Sequence, residues 1–284
     1  MNLRKTAVAV SLVVGLVWIT PIGHTAIAQE PCAESTLYFS QDDNGNGLYS
    51  IDTATGAATL VGEGETGTDS ATIGLTESDD PNVLWGSTWE DFAIINADGS
   101  NANVLATDFS AEALGYDSGS DTLYGGINEE FFTVDPVTGL RTGDLADPPI
   151  DLEALAADAA TGLVYGLDGG DDTQLYFYDP GSLSWNTVGD IGLTWEEPGL
   201  AFDPNNEWLY ALNGDDENVY RIDITTAEAT LVGNLGLDDF DGGGLGFIAG
   251  DCPPPTTPTT PTTDSTTTTP APAPQGTVRP RFTG

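Results

Sequence analysis

The groups able to do chemistry in this sequence are almost all carboxylates. Asp69, Asp151, Glu196 and Asp241, with Ser110 between the first two, recur at spacings of 41, 41, 45 and 45 residues, and Glu112 and Glu153 stand two residues after two of these positions. Near-regular spacing means that a repeated unit can carry these oxygens to one place. Like charges brought together have to be neutralised, either by protons through raised pKa values or by a bound cation. An all-oxygen ring of irregular ligand number suits calcium better than a transition metal. The other reading is an acidic rim whose side chains splay into solvent.

A second arrangement, Asp42-Asp43-Asn44-Gly45-Asn46-Gly47, matches the first half of a calcium loop, with Asp42, Asn44 and Asn46 at positions one, three and five. Position twelve is Thr53 where such a loop has a bidentate Glu, so a weak calcium site and a plain Asn/Gly turn both remain open. Aromatic residues accompany the acids. Trp85, Trp89 and Trp195 form a candidate platform on which a sugar ring could stack, whereas Trp185 and Trp208 fall within apolar runs and read as packing.

Several chemistries are excluded by what is absent. Arg4 and Lys5 precede the apolar run Ala7 to Ile19, and Ala26-Ile27-Ala28 supplies the small residues of a cleavage site, so residues 1–28 read as a secretory signal. That segment contains the single His, His24, and the single Lys. A mature chain starting at Gln29 has no imidazole for a nucleophilic triad or a metal, and four arginines stand against all 45 acidic residues. Such a surface repels nucleic acid and anionic membranes, so neither is an expected partner, and no membrane insertion is expected after signal cleavage. The two cysteines, Cys32 and Cys252, are expected to form a disulfide in an oxidising compartment.

The elements that must position the acids are legible as repeats. GLYSIDTATGAATLVG, residues 47–62, returns as NVYRIDITTAEATLVG, residues 218–233, with nine of sixteen positions identical. Weaker copies begin at Phe92, Phe131 and Leu175, and the turn residues Asp52, Asn96, Asp135, Asp179 and Asp223 are 44, 39, 44 and 44 residues apart. Each copy is two alternating apolar runs around a polar turn, a half-buried hairpin. Two more short apolar runs precede each hairpin, as GLAFDP and WLYALNG do before the last one. Four short strands at this period make one blade, and five blades make an all-β, five-bladed β-propeller over residues 29–252.

The first blade lacks its first strand, since TLYFS (Thr36–Ser40) aligns with a second strand, while GGLGFIAG (Gly243–Gly250) is a first strand with no second one after it. The C-terminal strand is therefore expected to close the ring on the first blade, which brings Cys252 beside Cys32. Residues 253–284 change to Pro and Thr, a composition that cannot bury a core, and read as a disordered stalk. The ending PRFTG resembles the Thr-Gly end of a sortase-type cell-wall sorting signal, without the apolar segment and basic tail that follow in such signals.

The string LYSIDTATGAATLVG, with its GLAFDP-like first strand, resembles the repeats of secreted bacterial β-propeller proteins of the NHL and YVTN kind. The resemblance runs from Thr36 to Gly250 and rests on residues that carry fold. It implies a secreted or surface-attached protein, and its families include binding proteins, surface proteins and a few enzymes. The repeat also resembles that of quinoprotein dehydrogenases, but a Trp at constant offset is missing. In such a fold the loops between second and third strands (Asp42-Asp43, Glu90-Asp91, Glu129-Glu130, Asp171-Asp172, Asp215-Asp216-Glu217) share one face with the blade-to-blade loops, and both sets are acidic. The expected function is a monomeric, non-enzymatic binding module that takes an extracellular carbohydrate or protein at this face, with calcium as a candidate cofactor. The alternatives are a glycoside hydrolase or lyase using two of these carboxylates, and a purely structural surface protein.

Overall fold

The computed structural model describes residues 35–41, 47–62, 72–100, 103–107, 109–170, 173–205, 208–237 and 242–250. Residues 1–28, expected to be a signal, residues 253–284, expected to be a stalk, Cys32, Cys252, Asp69, Asp241 and residues 42–46 lie outside the described residues.

Alternation of apolar and polar residues, broken by Asp-led turns, gives twenty short strands in five four-stranded antiparallel sheets. Blade I holds β1 (Thr36–Ser40), β2 (Leu48–Ile51) and β3 (Ala58–Gly62). Blade II is β4 (Gly74–Glu77), β5 (Val83–Ser87), β6 (Asp91–Asn96) and β7 (Asn103–Thr107). Blade III is β8 (Ala113–Asp117), β9 (Thr122–Ile127), β10 (Glu130–Asp135) and β11 (Leu140–Asp144). Blade IV is β12 (Ala154–Asp158), β13 (Leu163–Leu167), β14 (Gln174–Asp179) and β15 (Ser184–Asp190). Blade V is β16 (Gly199–Asp203), β17 (Trp208–Asn213), β18 (Asn218–Ile222) and β19 (Ala229–Asn234), and β20 (Leu245–Ile248) returns to blade I. The architecture is thus the five-bladed β-propeller expected from the repeats, and no helix occurs among the described residues.

Ring closure is by sheet addition. β20 pairs antiparallel with β1 through Thr36↔Ile248, Leu37↔Phe247, Tyr38↔Gly246 and Phe39↔Leu245, so blade I takes its innermost strand from the C-terminal end. The five inner strands β20, β4, β8, β12 and β16 then adjoin one another in a closed circle. Only the outermost strand of each blade keeps an open edge, and each outer pair carries a register shift, at an equivalent place in four blades, as at Leu48/Tyr49 and Val219/Tyr220, and two residues further on, at Thr133/Val134, in blade III. Such bulges add twist and blunt the edge against pairing with another chain.

The turn residue that marks each repeat caps its hairpin through its own carboxylate. Asp52 Oδ1 accepts from Ala54 N at 2.8 Å, Asp135 Oδ1 from Val137 N at 2.9 Å, Asp179 Oδ1 from Gly181 N at 2.8 Å and Asp223 Oδ1 from Thr225 N at 2.7 Å. In blade II the capping residue is Asp98, which accepts from Ser100 N at 3.0 Å. Hydrogen bonds to the ionised form hold Asp98, Asp135, Asp179 and Asp223 below the usual carboxylate range.

The core lies between blades. In three seams an aromatic on the second strand meets an aromatic on the inner strand of the next blade: Trp85 meets Tyr116 edge to face at 4.8 Å, Tyr165 stacks on Phe202 at 6.3 Å, and Tyr210 stacks on Phe247 at 6.0 Å. Toward the axis, Leu75, Leu114, Leu155, Leu200 and Leu245 stand at one position of the five inner strands, all buried, and line a space of about 10 Å³. That is room for no more than a single water. The leucine ring therefore closes the channel at its waist and leaves two separate ends.

Candidate functional site

Counting back two residues from each leucine reaches the same strand face one step nearer the mouth, and there the ring reads Ile73, Glu112, Glu153, Pro198 and Gly243. All five line one cavity of about 280 Å³, joined by Asp151, Glu197 and the indole of Trp89. Two adjacent blades supply the acids of this ring and three blades supply apolar or small residues. The mouth is consequently acidic on the blade III and IV side.

Each acid is fixed by its own backbone. Glu112 N donates to Gly126 O at 2.9 Å and Glu153 N to Leu167 O at 3.1 Å, so both extend their inner strand by one ladder bond before the channel opens. Glu153 reaches toward the β13–β14 turn, where a Cβ at Gly169 would fall 2.7 Å from its Oε2. The carboxylate thus packs against bare backbone. Its Oε2 is buried and has no hydrogen-bond partner.

Burial first, and then the charges of Glu112, Asp151, Asp168 and Glu197, push the Glu153 carboxyl up to about 7. Asp168 is raised for the same reasons, burial and the charge of Asp151. A carboxylic acid half protonated at neutral pH, ringed by other acids, accepts a cation or gives up a proton with little cost.

The structure places Glu112, Glu153 and Asp151 on one cavity wall and adds Glu197, which the spacing did not single out. Glu196 is exposed but points its backbone elsewhere: its N donates to Asn213 Oδ1 at 3.1 Å, and its O accepts from Gly214 N at 2.7 Å. That tie to the β17–β18 turn, with Glu197 at φ 43°, puts Glu197 rather than Glu196 on the cavity wall. Among the described residues no three acidic, His or Cys side chains are placed to hold a metal ion.

The aromatic platform reduces to one residue. Trp89 is 48% exposed on the β5–β6 loop and lines the mouth. Trp85 is buried within β5 against Tyr116, and Trp195 is 0% exposed. Trp195 forms a two-way backbone bridge with Gly170, at 2.7 and 3.1 Å, which turns its indole inward onto Tyr220. Both are corrections to the three-tryptophan reading, and in both the reason is inter-blade packing, which an apolar ring satisfies better than solvent does.

No family model matches this chain, and no curated protein matches it. Among solved structures, a chain from "Crystal structure of Nidogen/Laminin Complex" is similar with a TM-score of 0.54 at 12% identity, covering 77% of this chain and 100% of that one. At that identity the likeness concerns the fold alone.

Proposed function

We propose that this propeller is a secreted or surface-attached binding module, without catalytic activity, whose acidic mouth receives a lysine or arginine side chain of a partner protein. The observation that carries this reading is the Glu153 carboxyl, with a buried, unpartnered oxygen among Glu112, Asp151 and Glu197 in a cavity walled by Trp89. A cationic side chain neutralises that group and lays its stem or guanidinium on the indole. Secretion is supported by residues 1–28, display by the Thr/Pro tail, and both by the likeness of the repeats to secreted bacterial propellers. The similar solved chain comes from a protein–protein complex, which agrees with protein recognition.

One observation favours a second reading. A carboxyl near neutral pKa beside other acids is what a general acid in glycoside cleavage requires, and Glu153 with Glu112 or Asp151 supplies that pair.

Calorimetric titration of the mature chain with tetralysine, against tetraglutamine as neutral control, separates these readings. Tetralysine is expected to bind, with affinity at least tenfold lower in Glu153→Gln/Asp151→Asn, several-fold lower in Trp89→Ala, and unchanged in Glu228→Gln, an exposed acid of an outer turn. Equal losses from Glu228→Gln mean diffuse charge attraction and sink the site. Turnover of nitrophenyl glycosides that stops in Glu153→Gln establishes the enzyme instead, and no response to any of these probes leaves a structural role. A calcium chloride arm, matched in ionic strength by sodium chloride, tests a metal at the same face.

A further inference from the structure

The far end of the channel contains a second cavity, of about 240 Å³, on the other side of the leucine ring. Inner strands of four or five residues, at ~3.3 Å per residue, separate it from the mouth by roughly 13–17 Å. Two residues beyond each leucine the inner strands carry Glu77, Tyr116, Ala157, Phe202 and Phe247. Four of these five line the cavity, with Pro81, Pro204 and Ile248 completing an apolar wall.

Glu77 is the exception in that ring. Where other blades place an aromatic or a methyl group, blade II places a carboxyl group, part-buried, with Thr76 Oγ1 donating to its Oε2 at 3.0 Å. Among the described residues nothing offers it a counter-charge. Among the described residues the bases are Arg141 and Arg221, and both belong to outer hairpins: Arg141 is paired with Glu130 and Asp144, and Arg221 lies over the Trp208 ring at 5.2 Å. A buried carboxylate without a cation is costly, and an apolar substitute of similar volume would pack better.

We propose that this cavity is a binding site for a small organic amine with an apolar body, whose ammonium pairs with Glu77 while its hydrocarbon lies against Phe202, Phe247 and Ile248. The volume is below the ~300–1,000 Å³ of drug-sized sites, so the occupant is a single ring or a short chain. The sign of charge follows from the groups that face Glu77: Asp79 shares the cavity wall, and Asp121 lies beyond Tyr116, whose hydroxyl donates to Asp121 Oδ1 at 2.9 Å. Among the described residues every charge within reach is negative, so an anionic ligand is repelled, and a neutral one leaves an ionised Glu77 uncompensated. Burial raises Glu77 to about 7, so the unliganded site holds a proton near neutrality and exchanges it for the amine. Tyr116 is raised as well, by burial and its bond to Asp121, and stays protonated throughout.

The test is calorimetric titration of the mature chain with benzylamine and, as neutral counterpart, benzyl alcohol. Benzylamine is expected to bind at pH 8 and about tenfold more weakly at pH 6, since only the ionised fraction of Glu77 is competent. Benzyl alcohol is expected not to bind measurably. Glu77→Gln should abolish benzylamine binding and Glu153→Gln should leave it intact, which separates this site from the mouth. Loss in Glu153→Gln with retention in Glu77→Gln overturns the proposal, as does equal binding of the alcohol. If Glu77→Gln does not fold, nuclear Overhauser contacts between the benzylamine ring and Phe247 in the wild type decide, and their absence at saturation is equally fatal.

Discussion

Glu77 holds in β4 the position that Phe247 holds in β20: each lies two residues past its leucine of the central ring, and each lines the same cavity. Across the seams, Tyr210 stacks on Phe247 and Tyr165 on Phe202, and by the same register Tyr38 is the counterpart of Glu77. A carboxyl has replaced an aromatic in one seam of five. Glu153 belongs to the ring at the mouth, so an ionisable group with its pKa raised to about 7 stands at each end of a channel closed by leucines.

These two groups set a pH dependence of stability. Burial raises both above the ordinary glutamate value of 4.5, so between pH 4.5 and 7 the folded chain keeps protons that the unfolded chain has released. Their contribution is fully present below about 4.5 and is lost as pH rises through about 7. The turn aspartates Asp98, Asp135, Asp179 and Asp223 are shifted the other way, and their contribution is lost as pH falls through the acid range. The chain should therefore melt higher at pH 5.5 than at pH 8, by an amount on the order of 1–3 kcal/mol for the pair. Melts across this range check it, and Glu77→Gln/Glu153→Gln should flatten the slope; a Tm that climbs toward pH 8 contradicts it.

Ring closure ends with Gly250 N donating to Ser35 Oγ at 3.0 Å, beside the Thr36↔Ile248 pair. Cys32 and Cys252 lie three and two residues beyond these points along the chain. Peptide mapping without reductant should recover them as one linked pair. Replacing both by Ser should lower unfolding stability by roughly 2–5 kcal/mol, since the bridge closes almost the whole propeller. Two titratable thiols in the purified protein would rule the bridge out.

Fold was readable from the sequence because each blade repeats both its apolar alternation and its turn chemistry, so Asp52, Asp135, Asp179 and Asp223 mark the same hairpin four times. The site was readable only in part. Glu112, Asp151 and Glu153 keep repeat spacing and were found by it. Glu197 was missed because a residue at positive φ and a tie to Asn213 rotate the segment by one position, which spacing does not encode. Trp195 was misplaced because its inward turn depends on a bridge to Gly170 in the preceding blade. Glu77 drew no notice because its significance lies in its aromatic equivalents, and those become comparable only once the leucine register is known.

The last glycine of the repeat has a steric role. A Cβ on Gly233 would fall 1.8 Å from Thr55 O, and one on Gly56 would fall 2.6 Å from Gly233 C, so β19 of blade V and the β2–β3 turn of blade I touch backbone to backbone. Gly56 also has φ 77°. Gly233→Ala has to part this seam next to the closure point and should cost about 1–3 kcal/mol in a denaturant titration. Gly192→Ala is a strain-only control, with φ 75° and nothing within 4 Å of its Cβ, and should cost about 1 kcal/mol or less. Equal costs would mean that the close contact with Thr55 O adds nothing measurable at Gly233.

Salt dependence follows from charge. The chain carries a formal −39, and among the described residues Arg141 already bonds two of its acids, so mutual repulsion is largely uncompensated in the folded state. Sodium chloride shortens the Debye length from ~30 Å at 0.01 M to ~3 Å at 1 M and should raise the Tm steadily across that range. Calcium chloride at equal ionic strength is expected to do no more through the mouth acids, because no three of them among the described residues are placed around one ion. An additional calcium-specific rise must then originate in Asp42, Asn44 and Asn46 or in Asp69 and Asp241. Asp42→Asn abolishing that rise assigns calcium to the loop, and Asp241→Asn abolishing it assigns calcium to the blade-to-blade positions. A Tm indifferent to sodium chloride would mean that the acids are far enough apart, or protonated enough, for their repulsion to play no part in the stability of the ring.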